Sequence, residues 1–274
     1  MFDTTAFELH LQGEEKSPLT IRKYCHDVRT FLQFLGPRPL SKASVLSFKT
    51  RLTMRYTAVS VNSILSSVNC YLKFLGREDC RVRTLKIQRR AFCPEELELN
   101  RAEYQRLLEA SEKNPRLCLL MQAICSTGIR VSEHRFLTVE AARQGSAVVR
   151  SKGKTRTILL PGKLCKALLA YAREAGIRKG SIFVTRSGNP LDRSRIWAEM
   201  KKLCTAAGVS HKKVFPHNLR HLFARCYYAQ ERDIVRLADI LGHSSINTTR
   251  IYTVESGSVH RAQIEKMQLL YHIM

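Results

Sequence analysis

The stretch that most constrains this chain runs from Leu241 to Tyr252 and reads LGHSSINTTRIY. Leu241-Gly242 predicts the end of a helix, because glycine readily adopts the conformation that follows a last helical turn. The ring of His243 then lies at a helix end, and Tyr252 follows after one short helical segment. Taken singly, such a tyrosine is more often a packing residue and such a histidine more often a helix cap. Whether His243 and Tyr252 have a functional role therefore has to be judged from the segments upstream.

One upstream segment, PHNLRH, begins at Pro216 and contains His217 and Arg220 three residues apart. Both side chains therefore project from one side of a helix N-terminus, where the helix dipole favours an anion. Arg220 can clamp a phosphate there, and His217 can bind it or exchange protons. A capping histidine and a salt-bridged arginine remain the alternative. We interpret His221 as structural.

A second upstream segment, STGIRVSE, covers residues 126–133. Arg130 follows a glycine break, at a junction from which a planar guanidinium can reach phosphate oxygens. A third segment, SKGKTR, predicts a β-hairpin with Lys152 in its turn. A lysine there can protonate a leaving oxygen, although Lys154 is a rival and a basic hairpin for backbone binding is the alternative.

Together these residues suit the metal-free cleavage of a phosphodiester. That reaction needs a nucleophile that loses its proton, cations that neutralise the phosphate, and an acid for the leaving oxygen. A free tyrosine has a pKa of about 10, so it needs an electropositive surrounding. Two arginines, two histidines and a turn lysine would supply it.

The charge of the whole chain points the same way. Lys and Arg number 46 against 23 acidic residues, a net charge of +23, which is typical of a protein that binds a polyanion such as nucleic acid. Residues 1–94 contain 16 basic and 7 acidic side chains, so the excess is not confined to one half. The nine cysteines include no CxxC pair, which favours reduced thiols in a cytoplasmic protein over a metal site. No signal peptide or membrane span is predicted.

Helical periodicity dominates residues 1–80. Helices are predicted from Pro18 to Leu35, after Leu40-Ser41 and over 57–75, and they form a small bundle. A basic linker is predicted over 81–94, pressed against phosphates rather than merely solvated. A second domain, 95–274, opens with an Asn100–Glu103 capping box.

The second domain is predicted to be mostly helical with a small sheet. Strands are expected at 146–151 and 155–160, with a third at 181–185. Helices are expected at 114–126, 162–175, 191–207, 216–229, 232–241 and 257–270. The fold class is therefore mostly α with a small antiparallel sheet.

These motifs, in this order, resemble the tyrosine recombinases, or phage integrase family, of the bacterial Xer type. The resemblance is strong over residues 115–255, and residues 1–90 look like the family's helical core-binding (SAM-like) domain. Two departures stand out: His134 replaces the leucine usual after Ser-Glu, and the helix after His221 is unusually basic and aromatic.

The resemblance implies a role for each motif residue. Tyr252 is the nucleophile, Lys152 the general acid and Glu133 the support of the first arginine. The phosphate is held by Arg130 and Arg220, while His217 transfers protons and His243 stabilises the transition state. The basic residues expected to contact DNA are Arg81, Arg83, Lys86, Arg89, Arg90, Arg150, Lys154 and Arg156.

The resemblance also implies a reaction and its partners. The enzyme would cleave double-stranded DNA with short inverted half-sites through a 3′-phosphotyrosyl link, and exchange strands through a Holliday junction as a tetramer on two sites. It would need no metal and no ATP. The last helix could pack on its own domain or on a neighbouring protomer. A second recombinase or accessory protein, and the choice between integration, excision, inversion and dimer resolution, stay open.

Two alternatives are weighed against this interpretation. A type IB topoisomerase-like enzyme would share the chemistry without bringing two sites together, but the compact N-terminal bundle favours a recombinase. A DNA-binding protein that has lost catalysis would leave a catalytic position unfilled, whereas all six are filled in this chain.

Overall fold

The computed structural model describes residues 4–87, 95–151, 154–252 and 265–267. In this part of the chain helices dominate, accompanied by one two-stranded antiparallel sheet, so the predicted fold class is confirmed. The backbone divides into two compact units, Met1–Arg89 and Arg90–Met274. Among the described helices, none has the length and apolar character needed to cross a bilayer.

The first unit is a bundle of four helices: α1 (Thr5–Gly13), α2 (Pro18–Leu35), α3 (Lys42–Thr53) and α4 (Ala58–Phe74). Ser17 caps α2 by accepting a hydrogen bond from the Thr20 amide, and Pro18 occupies the first turn, where its missing N–H costs nothing. The apolar faces of α2, α3 and α4 bury a common core. Helix α1 has no individual signal in the sequence, because it buries only Phe7 and Leu11.

The start of the predicted linker is fixed to this bundle. The side-chain amide of Asn69 exchanges two hydrogen bonds with the backbone of Val82, at 2.8 and 3.1 Å. Asn62, two helical turns earlier on α4, does the same with Leu85 at 2.9 and 2.7 Å. Two asparagines on one helix face thus hold residues 82–85 extended along α4.

The second unit contains the elements that follow α4 along the chain. They are α5 (Arg101–Ala110), α6 (Pro115–Thr127), α7 (Val139–Gln144), β1 (Ser146–Ser151), β2 (Lys154–Leu159), α8 (Gly162–Glu174), α9 (Arg193–Lys202), α10 (Cys204–Ala207), α11 (Pro216–Glu231), α12 (Ile234–Leu241) and α13 (Ile246–Thr249). The predicted Asn100–Glu103 capping box opens α5. One apolar core runs beneath α6, α8, α11 and the hairpin.

Two predicted elements differ in the structure. The third strand, 181–185, is reduced to isolated bridges at Ser181 and Val184, because the chain turns at once, with the Thr185 amide bonded to the carbonyl of Asn189. The helix predicted over 191–207 is split into α9 and α10 at Leu203. The last predicted helix, 257–270, falls almost wholly outside the described residues.

Candidate active site

Tyr252 is buried at the end of a short 3-10 turn, Arg250–Tyr252, which follows α13. Its side chain is 3% exposed. The His221 ring lies perpendicular to the tyrosine ring with centroids 4.7 Å apart, and the His243 ring stacks on it at 5.8 Å. The Tyr252 hydroxyl interacts with the Arg220 guanidinium. The candidate nucleophile therefore lies among basic side chains of its own chain.

Arg220 lies on α11 and is 1% exposed. One terminal nitrogen donates to the carbonyl of Gly128 at 2.5 Å, and the other donates to the carbonyl of Leu241 at 2.8 Å and to Nε2 of His243 at 2.9 Å. Burial, followed by the charge of Arg130, lowers the pKa of Arg220 to about 10. The guanidinium is therefore still charged at neutral pH.

The end of α6 must come very close to α11 for this arrangement. Gly128 ends α6 with a φ of +66°, and a Cβ there would lie 2.5 Å from a ring carbon of Phe223 on α11. A side chain at this position would both strain the backbone and separate the two helices. The glycine in the STGIR segment thus brings the 128 carbonyl within reach of Arg220.

Arg130 follows at the start of a six-residue 3-10 helix, Val131–Phe136. Its guanidinium donates to Oε1 of Glu133 at 2.9 Å and to the carbonyl of Gly242 at 3.2 Å, while its backbone amide donates to Oε2 of Glu133 at 2.8 Å. Burial alone would raise the pKa of Glu133, but the Arg130 amide and the charge of Arg156 outweigh it, and the pKa is lowered. Glu133 is therefore a buried carboxylate that fixes Arg130.

His243 follows α12 and makes two hydrogen bonds. Its Nδ1 lies 2.8 Å from Oγ1 of Thr249, and its Nε2 faces Arg220. Burial, followed by the charges of Arg220 and Arg130, lowers the pKa of His243 to about 4. Because an arginine can only donate, the neutral ring accepts at Nε2 and donates from Nδ1 to the threonine.

His217 lies in the first turn of α11, with its ring centroid 5.1 Å from that of His221. Desolvation, followed by the charges of Arg220 and Arg130, lowers the pKa of His217. Desolvation likewise lowers the pKa of His221 to about 4. Both rings are therefore neutral at pH 7 in the free protein, and His217 can accept a proton.

The hairpin that carries Lys152 is present, with Ser151 paired to Lys154 across a two-residue connection. Lys152 itself and the side chain of Lys154 lie outside the described residues, so the choice between them as general acid stays a prediction.

The residues predicted to contact DNA divide into three groups. Arg81, Arg83, Lys86 and Arg150 are exposed, and Arg81 pairs with Glu78. Arg89, Arg90 and the side chain of Lys154 fall outside the described residues. Arg156 instead faces inward: it pairs with Val149 on the face of the hairpin that buries Ile158, and its guanidinium contacts Glu133.

Sequence reasoning missed two contributors to the site. The inward position of Arg156 could have been deduced from the alternation of β2, because Ile158 is two residues away and shares its face. The contact of Thr249 with His243 left no signal, since threonines are common in short helical segments.

Two family models match the chain. The one described as "Phage integrase family" matches residues 98–257, and "Phage integrase, N-terminal SAM-like domain" matches residues 5–79. Among full-length relatives, the tyrosine recombinase XerA of Thermococcus kodakarensis is 32% identical, covering 98% of this chain and 96% of the relative. The tyrosine recombinase XerD of Oceanobacillus iheyensis is 27% identical and covers 92% of both.

Solved structures agree. A crystal structure of XerA recombinase is 29% identical, with a TM-score of 0.55 and 97% of both chains covered. A lambda integrase dimer bound to a core site shares the fold at 19% identity, with a TM-score of 0.73, over 90% of this chain and 92% of that one. The family resemblance inferred from the motifs is thus confirmed, with archaeal as well as bacterial relatives, and this chain belongs to the phage integrase family of tyrosine-type, site-specific DNA recombinases.

Proposed function

We propose that Tyr252 is the nucleophile with which this recombinase cuts one DNA strand. Its hydroxyl oxygen attacks the scissile phosphorus, the bond from phosphorus to the 5′-oxygen breaks, and a 3′-phosphotyrosyl link forms. The 5′-oxygen leaves as a hydroxyl. The observation that carries this proposal is the burial of Tyr252 against Arg220, His221 and His243.

Arg130 and Arg220 neutralise the phosphate in this reaction. Their guanidiniums are held by Glu133 and by carbonyls at the ends of α6 and α12, so little reorganisation is needed when the charge of the transition state develops. Glu133 supports the reaction only by fixing Arg130.

Three further residues handle protons and orientation. His217, which is neutral in the free protein, takes the tyrosine proton, and Lys152 gives a proton to the leaving 5′-oxygen. Once DNA is bound, the negative charge of the phosphate favours protonation of His243, and its Nε2–H then donates a hydrogen bond to the transition state. The phosphotyrosine conserves the energy of the broken bond. A 5′-hydroxyl from another strand can therefore attack its phosphorus, form a new phosphodiester and release Tyr252 without ATP.

The substrate is double-stranded DNA with short inverted half-sites, on which the protein assembles as a tetramer across two sites and passes through a Holliday junction. Solved neighbours include XerH bound to its difH substrate and a lambda integrase tetramer bound to a Holliday junction. The exposed Arg81, Arg83, Lys86 and Arg150 contact the DNA backbone. A location in the cytoplasm, at the nucleoid, follows from such a substrate.

Covalent trapping tests the proposal. Short duplexes that tile inverted repeats near the coding gene are nicked beside each possible cleavage position, so that the short fragment bearing the new 5′-hydroxyl diffuses away. We expect a denaturant-resistant protein–DNA adduct with the wild type and none with Tyr252→Phe. Tyr227→Phe is the matched control, because Tyr227 lies in the same cluster and should leave the adduct intact.

An adduct that persists in Tyr252→Phe would refute the assignment of the nucleophile. A supercoiled plasmid without inverted repeats separates the topoisomerase-like alternative, which predicts relaxation there. A wild type that binds every duplex tightly and never forms an adduct would favour the inactive DNA-binding protein.

A further inference from the structure

Arg156 is a basic residue whose side chain does not face solvent. It lies on β2 opposite Val149, and its side chain is 15% exposed. One terminal nitrogen donates to Oε2 of Glu133 at 2.5 Å, and the other donates to the carbonyl of Ile240 at 2.5 Å. Its hydrogen-bonding capacity is thus directed at the site described above.

Glu133 joins Arg156 to Arg130. Its Oε1 accepts from the Arg130 guanidinium, while its Oε2 accepts from both the Arg130 amide and Arg156. The side chain of Glu133 is 3% exposed. If Arg156 were removed, the charge of the buried Glu133 carboxylate would be poorly compensated. The position of Arg130, which Glu133 holds, therefore depends on Arg156 as well.

The end of α12 binds three arginines in a row. The consecutive carbonyls of residues 240, 241 and 242 accept hydrogen bonds from Arg156, Arg220 and Arg130 respectively. The negative end of the helix dipole favours cations there. Two of these three arginines are the proposed phosphate ligands, and the third holds the same helix end.

Gly242 shows how tightly Arg156 fits. A Cβ at residue 242 would lie 2.4 Å from Cδ of Arg156 and 2.9 Å from its Nε, and the φ of Gly242 is +64°. The arginine stem therefore crosses directly over the residue that precedes His243, and only glycine leaves it room.

We propose that Arg156 is a positioning residue for the reaction, and that it does not bind the DNA backbone. It fixes Glu133, and through it Arg130, and it fixes the end of α12 from which His243 projects. This inference rests on the proposed function, since Arg156 is taken to position the residues that bind the scissile phosphate.

The test compares cleavage of a normal scissile phosphate with that of a methylphosphonate, in which a methyl group replaces one non-bridging oxygen and the diester is uncharged. With Arg156→Met we expect DNA affinity within about threefold of wild type and adduct formation on phosphate slower by roughly 100-fold, the size of a lost transition-state donor. On methylphosphonate the loss should shrink to about tenfold or less, as in Arg130→Ala, because there is less charge to neutralise. Arg156→Lys, which keeps the charge without the planar fork, should recover only part of the rate.

Arg116→Met is the matched control for losing a buried arginine. Arg116 pairs with Glu199 at 3.3 Å and donates to the carbonyl of Val184 at 3.1 Å, and its side chain is 20% exposed. We expect lower stability from this change but an unaltered ratio of phosphate to methylphosphonate cleavage. Arg150→Met, from the exposed face of β1, shows the signature of a DNA contact: weaker binding and a salt slope smaller by about one.

Three results would overturn the inference. Arg156→Met that behaves like Arg150→Met would make Arg156 a DNA contact. Arg156→Met with equal losses on both substrates would make its role purely structural, and an unchanged rate would remove any role. Failure of the wild type to form an adduct is a different outcome, because it overturns the proposed function itself.

Discussion

Besides Arg220, one further neighbour orients the ring of His243, namely Thr249. The threonine is fully buried, and its hydroxyl lies 2.8 Å from Nδ1 of the histidine. If the Nδ1 proton is held there, Nε2 is the atom that faces Arg220 and, in the proposed reaction, the phosphate. The orientation of a catalytic histidine is commonly set by the hydrogen bond that its second nitrogen makes.

We therefore expect Thr249→Val to slow covalent adduct formation by roughly tenfold, because the ring of His243 loses the hydrogen bond at Nδ1 that orients it. Valine keeps the shape of threonine but leaves Nδ1 without its acceptor, at a cost of about 1–3 kcal/mol of stability. The measurement is the rate of adduct formation on a nicked duplex between pH 5.5 and 8.

Thr248→Val is the control, because Thr248 is adjacent and exposed. The prediction would be wrong if the two variants had the same rate and the same pH profile.

At this scale, sequence reasoning found the residues but not their contacts. The order of Arg130, His217, Arg220, His243 and Tyr252 was enough to place them in one site, and the structure does bring them together. Arg156 was predicted to face DNA because basic residues alternate along the hairpin. Its true direction follows from the strand's period of two, which outweighs the charge pattern.

At the scale of elements, the segment after α4 behaves as part of the bundle. Asn62 and Asn69 each make one donor and one acceptor hydrogen bond to the backbone of residues 82–85, as a residue of a paired β-strand would. Lys49 adds a hydrogen bond to the carbonyl of Arg83 at 2.8 Å. The basic side chains of this segment are thus presented in a fixed register.

We expect the double variant Asn62→Ala, Asn69→Ala to bind DNA about tenfold more weakly, although its net charge is unchanged. Ordering one residue on binding costs about 1–2 kcal/mol, and a tenfold loss corresponds to about one residue freed, because Val82 and Leu85 still pack on the bundle core. The measurement is the equilibrium affinity for a duplex across a range of salt concentrations.

Ser63→Ala, on an exposed position of the same helix, should bind like wild type. Equal affinities for the double variant and this control would show that the anchoring has no part in DNA binding.

Prediction of elements succeeded where apolar periodicity was long and failed where it was short. Helices α2, α4 and α11 bury five or more residues each and were predicted to within about two residues at each end, the usual uncertainty of helix boundaries. The strand at 181–185 was inferred from five apolar and polar residues alone. The turn that begins at Thr185 removes the partner such a strand needs, and single-sequence patterns do not report partners.

At the scale of the whole molecule, the site concentrates positive charge, and the repulsion among its arginines destabilises the folded protein. Arg130 and Arg156 share one carboxylate, Glu133, and the charges of both arginines act on Arg220. A bound phosphate therefore relieves repulsion that the free protein carries. The same positive field, with burial, keeps the neighbouring histidines neutral.

This field makes the stability of the second unit depend on pH. Burial first, followed by the charge of His217, lowers the pKa of His221 to about 4, and burial with Arg220 lowers that of His243 to about 4. An unfolded histidine has a pKa of about 6.5, so between these values the unfolded chain binds more protons than the folded one. The stability that these two neutral histidines contribute is therefore fully present above pH 6.5 and is lost as the pH falls towards 4.

We expect the urea midpoint of the second unit to fall steadily from pH 6.5 to 4.5, before carboxylates with lowered pKa, such as Glu133, begin to titrate. A single uncoupled proton contributes at most about 1.4 kcal/mol per pH unit, and partly exposed His243 contributes less. Trp197 is the only tryptophan of the chain and lies on α9, so its fluorescence reports unfolding of this unit within the intact protein. His221→Asn, which cannot titrate, should flatten the slope, whereas a wild-type midpoint that stays constant or rises on acidification would contradict the neutral histidines.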